Sequence, residues 1–206
     1  PLPIENNVLK TFSIENEPVV ELVNNREREY IFADLPDIGY STDIDTVMAS
    51  SYQVKKQLQQ IVKIEQPITN TLLYKRILRI WNLTRVTTRL QVFIDNLLED
   101  AYKDPLSGDT IIYWEDEEKA KDCDFYRINS KRDILDIPIL EVMSAARYAI
   151  EQQISMPTED LKRLTSQLLG FSRKGNNLDM VTEQTIQLLI DKGIFSHANG
   201  MVSMNN

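Results

Sequence analysis

A four-residue run that occurs twice constrains the fold of this chain more than any other feature. Residues 82–85 (Asn-Leu-Thr-Arg) match residues 170–173 (Gly-Phe-Ser-Arg), and a leucine follows each arginine five positions later, at Leu90 and Leu178. Asn and Gly are the residues that best tolerate the left-handed conformation with which many helices end. The run therefore predicts two equivalent points at which one helix ends and another begins.

Three helices are predicted around the first run, because apolar residues recur every three or four positions there. The first helix begins at the Ser50–Ser51 pair and is ended by Pro67. The second follows Thr69, and the third runs from about Thr84–Thr87 to Glu99.

The same pattern starts again in the second half of the chain. Pro138 suits the first turn of a helix. Thr158 caps a second helix that stops at Gly170, and Asn177 caps a third that stops at Gly193.

A β-hairpin is predicted after each set of helices. The turn at 104–108 opens the first, with strands at 110–114 and 125–128 and an acidic tip between them. In the second, Asn199-Gly200 separates two half-apolar runs, which is the strongest short-range hairpin signal.

Three helices followed by a two-stranded wing form the winged-helix type of helix-turn-helix. The sequence therefore predicts a mainly α protein with small β-hairpins (α+β), built from two tandem winged-helix units. The predicted regions are an irregular N-terminal segment or arm at 1–48, a first unit at 49–132 and a second at 133–206. Short apolar runs in the N-terminal region indicate strands or an extended arm, at 8–14, 18–23 and 30–32.

Charge is distributed unevenly along the chain. The net charge of −8 argues against phosphate binding by the whole surface. However, residues 66–94 carry five basic residues and no acid, whereas residues 95–124 carry eleven acids against three lysines. The overall charge therefore conceals a local basic patch.

The basic segment is the main candidate site, because the third helix of a helix-turn-helix enters the major groove of DNA. Arg85 and Arg89 lie one turn apart there, and Arg can pair with guanine or phosphate. In the second unit, acids surround the corresponding pair. The alternative is that these residues form ordinary salt bridges. The predicted nucleic-acid-binding residues are Lys75, Arg76, Arg79, Arg85, Arg89, Arg173 and Lys174.

Catalysis has little support in the sequence. The chain has only one Cys and one His, which are too few for most metal sites and for most catalytic nucleophiles with their bases. Residues 170–175 have the glycine spacing of a P-loop but lack its lysine. Pro36-Asp37 and residues 117–119 have the residue types of a metal-dependent nuclease core. They lie far apart in sequence, whereas such a core needs carboxylates that converge on one site. We therefore expect no enzyme activity, no cofactor and no metal site.

Part of the chain resembles the domain of unknown function 3320 family. The resemblance lies in residues 61–68 and 81–85, in Arg76 and in Arg89-Leu90, although Asn82 stands where Gly is usual. Residues 137–141 and 169–173 resemble the stretches that come after that domain in the proteins that contain it.

These domains sit near the C-terminus of large bacterial proteins similar to superfamily I DNA/RNA helicases, often beside a nuclease-like domain. The resemblance implies a non-catalytic accessory module that contacts DNA or RNA and other domains of the parent protein. The alternative is a protein–protein docking module that binds the motor or nuclease domain. The resemblance carries no catalytic residue.

The predicted location is the cytoplasm. The single cysteine fits a reducing compartment. The chain begins without a charged-then-apolar leader, so we expect no signal peptide and a piece of a longer protein. No run approaches the roughly 20 apolar residues of a membrane helix, so no membrane association is expected.

Overall fold

A computed structural model describes residues 24–40, 42–106, 110–128 and 131–205. Those residues form a mixed α/β fold, about half helical, with eight α-helices, one 3₁₀ turn and three small sheets. The runs predicted to be extended at 8–14 and 18–23 lie outside the described residues. The third run, 30–32, forms no strand and directly follows the short strand β1 (Glu27–Glu29).

The first unit is preceded by α1 (Ile44–Ala49) and contains six elements. These are α2 (Ser51–Glu65), β2 (Ile68–Thr69), α3 (Asn70–Ile80), α4 (Thr88–Leu97), β3 (Tyr102–Lys103) and β4 (Ile112–Trp114). The strands form an antiparallel sheet of order β2-β4-β3, so the strand after the first helix pairs with the last strand.

The second and third helices of the first unit begin where the sequence predicts, and a threonine caps each, whereas Ser50 at the start of α2 forms no side-chain cap bond. The hydroxyl of Thr69 accepts a hydrogen bond from the amide of Leu72 at 3.3 Å, and Thr87 accepts one from Leu90 at 3.2 Å. Each bond satisfies an amide that has no partner within its own helix. Asn82 has a φ of +46°, which confirms the left-handed turn between α3 and α4.

The predicted hairpin between 110–114 and 125–128 is wrong. β4 pairs instead with β3, which comes before residue 104. The acidic run between the two segments forms α5 (Glu117–Lys121), whose first turn is capped by the carboxylate of Asp116. The segment beyond it forms β5 (Tyr126–Ile128), which pairs in parallel with β1. A capped helix therefore separates the two segments, and their strands belong to different sheets.

A 3₁₀ turn (Ile134–Asp136) leads into the second unit, which repeats the six elements. They are α6 (Ile139–Glu151), β6 (Met156–Pro157), α7 (Thr158–Leu168), α8 (Asn176–Asp191), β7 (Phe195–Ala198) and β8 (Met201–Met204). Their sheet has the order β6-β8-β7, so the strand that follows the first helix again pairs with the last strand.

The second predicted hairpin is confirmed. Asn199 and Gly200, at φ +54° and +75°, connect β7 to β8 in the conformation that a type I′ turn requires. Gly170 has a φ of +88° where α7 ends, as predicted. The third helix starts two residues earlier than expected, with Gly175 rather than Asn177 at its N-cap.

Each unit buries its own apolar core. In the first, side chains from α2, α3 and α4 meet beneath the sheet, and Tyr30, Ala33 and Val47 from the preceding segment join them. In the second, α6, α7 and α8 pack together with Phe195 and Val202 of the hairpin. None of the helices within the described residues is both long and apolar enough to cross a bilayer.

Arg127 of β5 joins the two units. Its guanidinium uses all five N–H donors: two bond the carboxylate of Glu141 on α6, and three bond the backbone carbonyls of residues 65, 66 and 67 at the end of α2. Arg132 makes a second bidentate pair with Glu141, at 2.7 and 2.9 Å. We call Arg127, Arg132 and Glu141 the junction cluster.

The junction cluster is buried and charged. Burial opposes the charged form of Glu141, but Arg127 and Arg132 outweigh it and hold the pKa of Glu141 below its usual range. Burial likewise opposes the charge on Arg127, yet Glu141 keeps the pKa of Arg127 raised. The cluster is therefore ionised, with its polar atoms paired.

Residues 24–40 cross the junction between the units. Arg26 pairs with Glu151 of α6 at 2.7 Å, while the amide of Ile38 bonds the carbonyl of Ile80 at the end of α3. Between them, the hydroxyl of Tyr30 donates to Glu65 at 2.6 Å. Burial, reinforced by the charge of Glu65, raises the pKa of Tyr30. This segment therefore belongs to the folded structure and packs on both units.

Candidate nucleic-acid interface

The α3–turn–α4 segment carries the predicted basic residues of the first unit. Lys75 and Arg79 lie one turn apart on α3, Arg85 lies in the turn, and Arg89 lies in the first turn of α4. All four are exposed. We call these four residues the basic face.

Two members of the basic face have no ion-pair partner among the described residues, and two have one. The two without an ion-pair partner among the described residues are Arg79 and Arg85. Arg89 lies 2.8 Å from Asp45 of α1, with the two side chains 57% and 73% exposed. An ion pair exposed to this degree contributes little free energy, so a phosphate can replace Asp45.

Lys75 is anchored to the link between the units. Its ammonium lies 2.7 Å from both carboxylate oxygens of Asp136 in the 3₁₀ turn. Asp136 is buried, whereas more than half of the Lys75 side chain stays exposed. The pairing therefore neutralises a buried acid, so Lys75 adds no net positive charge to the basic face.

Arg76 lies apart from the basic face. Its side chain is only 12% exposed, pairs with the buried Glu65 at 2.9 Å and donates to the carbonyl of Ala33 at 2.7 Å. Neighbouring residues on a helix point about 100° apart, so Lys75 faces solvent while Arg76 faces the interior. Arg76 therefore holds the segment at 24–40 against α3, and we leave it out of the interface.

The outer face of α4 contains residues that sequence reasoning missed. Val92, 53% exposed, and Asn96 follow Arg89 at positions i+3 and i+7, which places them on one side of the helix. The sequence did contain a signal for these residues: they form a stripe of polar and apolar side chains opposite the buried Leu90 and Ile94. This side can offer a guanidinium, an apolar surface and an amide to one ligand.

The turn of the second unit carries Arg173 and Lys174, as predicted. Both are exposed, and neither forms an ion pair within the part of the chain that the structure describes. The helix that follows differs from α4, because Asp179 and Glu183 lie on its exposed side. Glu183 pairs with Lys162 of α7 at 2.8 Å. The second unit therefore combines a basic turn with an acidic helix face.

Other motifs take structural positions. Gly170 and Gly175, which have P-loop spacing, end α7 and begin α8. Residues 117–119 lie in α5. Across the described ranges, no group of three or more His, Cys, Asp and Glu side chains is arranged to hold a metal ion.

One comparison with known proteins gives a match. Residues 49–92 match the model of a family described as protein of unknown function (DUF3320). The matched range is less than a quarter of the chain and includes α2, α3, the intervening turn and the start of α4. The whole basic face lies within it. Neither a search of curated proteins nor a search of solved structures found a match.

Proposed function

We propose that this chain is a non-catalytic module that binds DNA or RNA through α4 and the basic face. The observation that carries the proposal is the pair Arg85 and Arg89, exposed where the third helix of the first unit begins. In helix-turn-helix proteins the corresponding helix lies in the major groove, and its first residues contact bases.

The order of the elements supports two tandem winged helices. Each unit runs helix, strand, helix, helix, strand, strand, and its first strand pairs with its last. In this proposal the last two strands of each unit correspond to the wing. β7 and β8 form a hairpin after α8, and β3 and β4 pair after α4 in the same order.

The chemistry of α4 suits a nucleic acid. Arg85 and Arg89 can each pair with a phosphate, or bidentately with the O6 and N7 of guanine. Val92 offers an apolar contact for a thymine methyl, and Asn96 can bond adenine. The N-terminal end of α4 carries the positive end of the helix dipole, which attracts the anionic phosphates of a nucleic acid.

The test is a fluorescence-anisotropy titration at several salt concentrations. Wild type is compared with the double variant Arg85→Ala/Arg89→Ala. Each phosphate contact contributes about −0.9 to the slope of log K against log salt on duplex DNA, so the variant should bind more weakly with a slope flatter by about 1–2. The variant should stay folded, because neither side chain enters the core.

The matched control is Lys56→Ala/Lys192→Ala. Both lysines are exposed, and they lie on α2 and directly after α8, so this variant loses the same charge away from the basic face. It should bind like wild type. A wild type that binds neither single-stranded nor duplex oligonucleotides at about 50 mM salt would favour the docking module instead.

We further propose that the module works within a larger helicase-like protein, where it orients nucleic acid for a motor. The resemblance of residues 61–90 supports this context. The full-length gene tests it: a Walker motif upstream would support the assignment, and a gene without a motor domain would contradict it.

A further inference from the structure

We infer that one nucleic acid contacts both units at once, with α4 and the basic face at one end and Arg173 with Lys174 at the other. This inference rests on the function proposed for the first unit and extends it across the junction. The second unit then contributes backbone contacts rather than a second groove-reading helix.

A path of direct contacts connects the two basic regions. Arg79 and Lys75 share one face of α3, and Lys75 bonds Asp136 in the 3₁₀ turn. The residue that caps this turn, Asp133, lines a shallow groove of about 520 Å³ together with Arg173. The surface therefore passes from α4 over α3 and the 3₁₀ turn to the α7–α8 turn.

The charge along this path is mixed, and the cations without an ion pair among the described residues lie at its two ends. The buried acid on it, Asp136, is neutralised by Lys75. Asp133 is the acid exposed on the 3₁₀ turn, and its carboxylate accepts a hydrogen bond from the amide of Leu135. At the far end, Arg173 and Lys174 form no ion pair among the described residues, and they line a groove together with Glu159, Asp160 and Asp179.

The outer face of α8 limits what the second unit can do. The positions that correspond to Arg89, Val92 and Asn96 of α4 are Asn177, Met180 and Gln184, so this face offers no cation to a phosphate. Asp179 and Glu183 lie beside α7, where Glu183 pairs with Lys162. Arg173 and Lys174 precede the outer face of α8 and can bind a phosphate themselves.

The junction supports simultaneous contact because it holds the units in place before any ligand binds. Arg127 bonds three carbonyls of the first unit and a carboxylate of the second. The hydroxyl of Thr69 also donates to the carbonyl of Asp136. Sites that are already arranged avoid part of the entropy cost of binding, so each added phosphate contact increases the affinity more fully.

The experiment uses the full chain and duplexes of two lengths, about 8 and about 24 base pairs. A duplex of about 8 base pairs is shorter than one helical turn and suits a single unit. Arg173→Ala/Lys174→Ala should weaken binding to the long duplex about tenfold and flatten its salt slope by about 1–2. It should leave the short duplex unaffected, whereas Arg85→Ala/Arg89→Ala should weaken both. Lys56→Ala/Lys192→Ala is again the control for lost charge.

The outcomes separate this inference from the proposed function. If Arg173→Ala/Lys174→Ala matches wild type on both lengths while Arg85→Ala/Arg89→Ala weakens both, the inference fails and the function of the first unit stands. If it weakens both lengths equally, the two units do not share one long ligand and the inference also fails. If wild type binds neither duplex, the inference fails, and if it binds no single-stranded oligonucleotide either, the proposed function fails as well.

Discussion

The two units arrange the same six elements in the same order, yet their third helices present different charges. The exposed side of α4 carries Arg89, Val92 and Asn96, whereas the matching positions of α8 carry Asn177, Met180 and Gln184 and hold no positive charge. The inward sides are alike, with Leu90 and Leu178 both buried. Inner positions therefore preserve the fold, while a few outer positions decide what each unit can bind.

The units also differ in how they bury an acid on their first helix. Glu65 lies at the end of α2 and accepts from Arg76, from the hydroxyl of Tyr30 and from the amide of Ala33. Glu141 lies at the start of α6 and holds two arginines that precede its own unit. The second unit thus depends on β5 and the link for the partners of its buried charge.

The largest expected effect comes from breaking that dependence. Glu141→Gln leaves the guanidinium groups of Arg127 and Arg132 buried without a counter-charge, which costs about 3–5 kcal/mol in the free energy of unfolding. Glu65→Gln should cost less, because it leaves only one arginine unpaired. Urea denaturation measures both, with the exposed Glu117→Gln as control. A loss below about 1 kcal/mol for Glu141→Gln would show that the junction cluster contributes little.

The same carboxylate predicts a pH dependence. The pKa of Glu141 is lowered in the folded state, so its contribution to stability is present above the unfolded pKa of about 4.3. It is lost as the pH falls below that value through the lower folded pKa. Between about pH 5 and pH 2, wild type should lose more unfolding free energy than Glu141→Gln. Parallel losses in urea denaturation would contradict this.

The next effect tests the equivalence of the inner positions. Leu90→Ala and Leu178→Ala should each cost about 2–4 kcal/mol, because each leaves a cavity beneath a third helix. Leu90 is completely buried and Leu178 is 6% exposed, so the first substitution should cost more. Thermal or urea unfolding measures both, with the exposed Val92→Ala as the matched control on the outer side of α4. A negligible effect at either leucine would break the equivalence of the two units.

A smaller effect concerns the residues that end α3 and α7. Gly170→Ala should cost about 1–2 kcal/mol, because its φ of +88° is strained for any residue with a Cβ. No heavy atom of the described residues lies within 4 Å of the added Cβ, so backbone strain is the cause. Asn82→Ala should cost less than about 1 kcal/mol in the free energy of unfolding. Asn82 has a Cβ and a positive φ in wild type, so the substitution adds less strain than it does at Gly170. Equal unfolding free energies for all three proteins would refute this reasoning.

The smallest effect is expected from a variant that makes the surface of α8 less acidic. Asp179→Asn/Glu183→Gln removes the two acids from the exposed side of α8, which should raise affinity for duplex DNA about two- to fivefold at low salt. Anisotropy titration measures the change. Asp191→Asn, at the other end of α8, is the control and should have no effect. Unchanged affinity for the double variant would mean that α8 lies away from the bound ligand.

Much of the fold follows from local signals. The six helices of the two units were predictable because their apolar spacing and caps lie within a few residues of one another. The strands β2 and β6 were missed because two residues have no period to detect. The pairing of β1 with β5 joins residues about one hundred positions apart, so no local pattern indicates it.

The candidate site was only partly predictable. The exposure of Arg79 and Arg85 follows from the basic run, but the separate positions of Lys75 and Arg76 depend on which side of α3 meets Glu65. The role of Arg127 has no sequence signal at all. From sequence alone, an arginine in a short strand is expected on the surface. Its burial becomes understandable only when its partners at the end of α2 and on α6 are known.

The bonds of Arg127 have a mechanical consequence. To rotate one unit against the other, the chain must detach a guanidinium from three carbonyls at the end of α2 while it still holds the carboxylate on α6. One planar group spans both attachments, so the junction opposes rotation of either unit relative to the other. Its bonds link the end of α2 directly to α6.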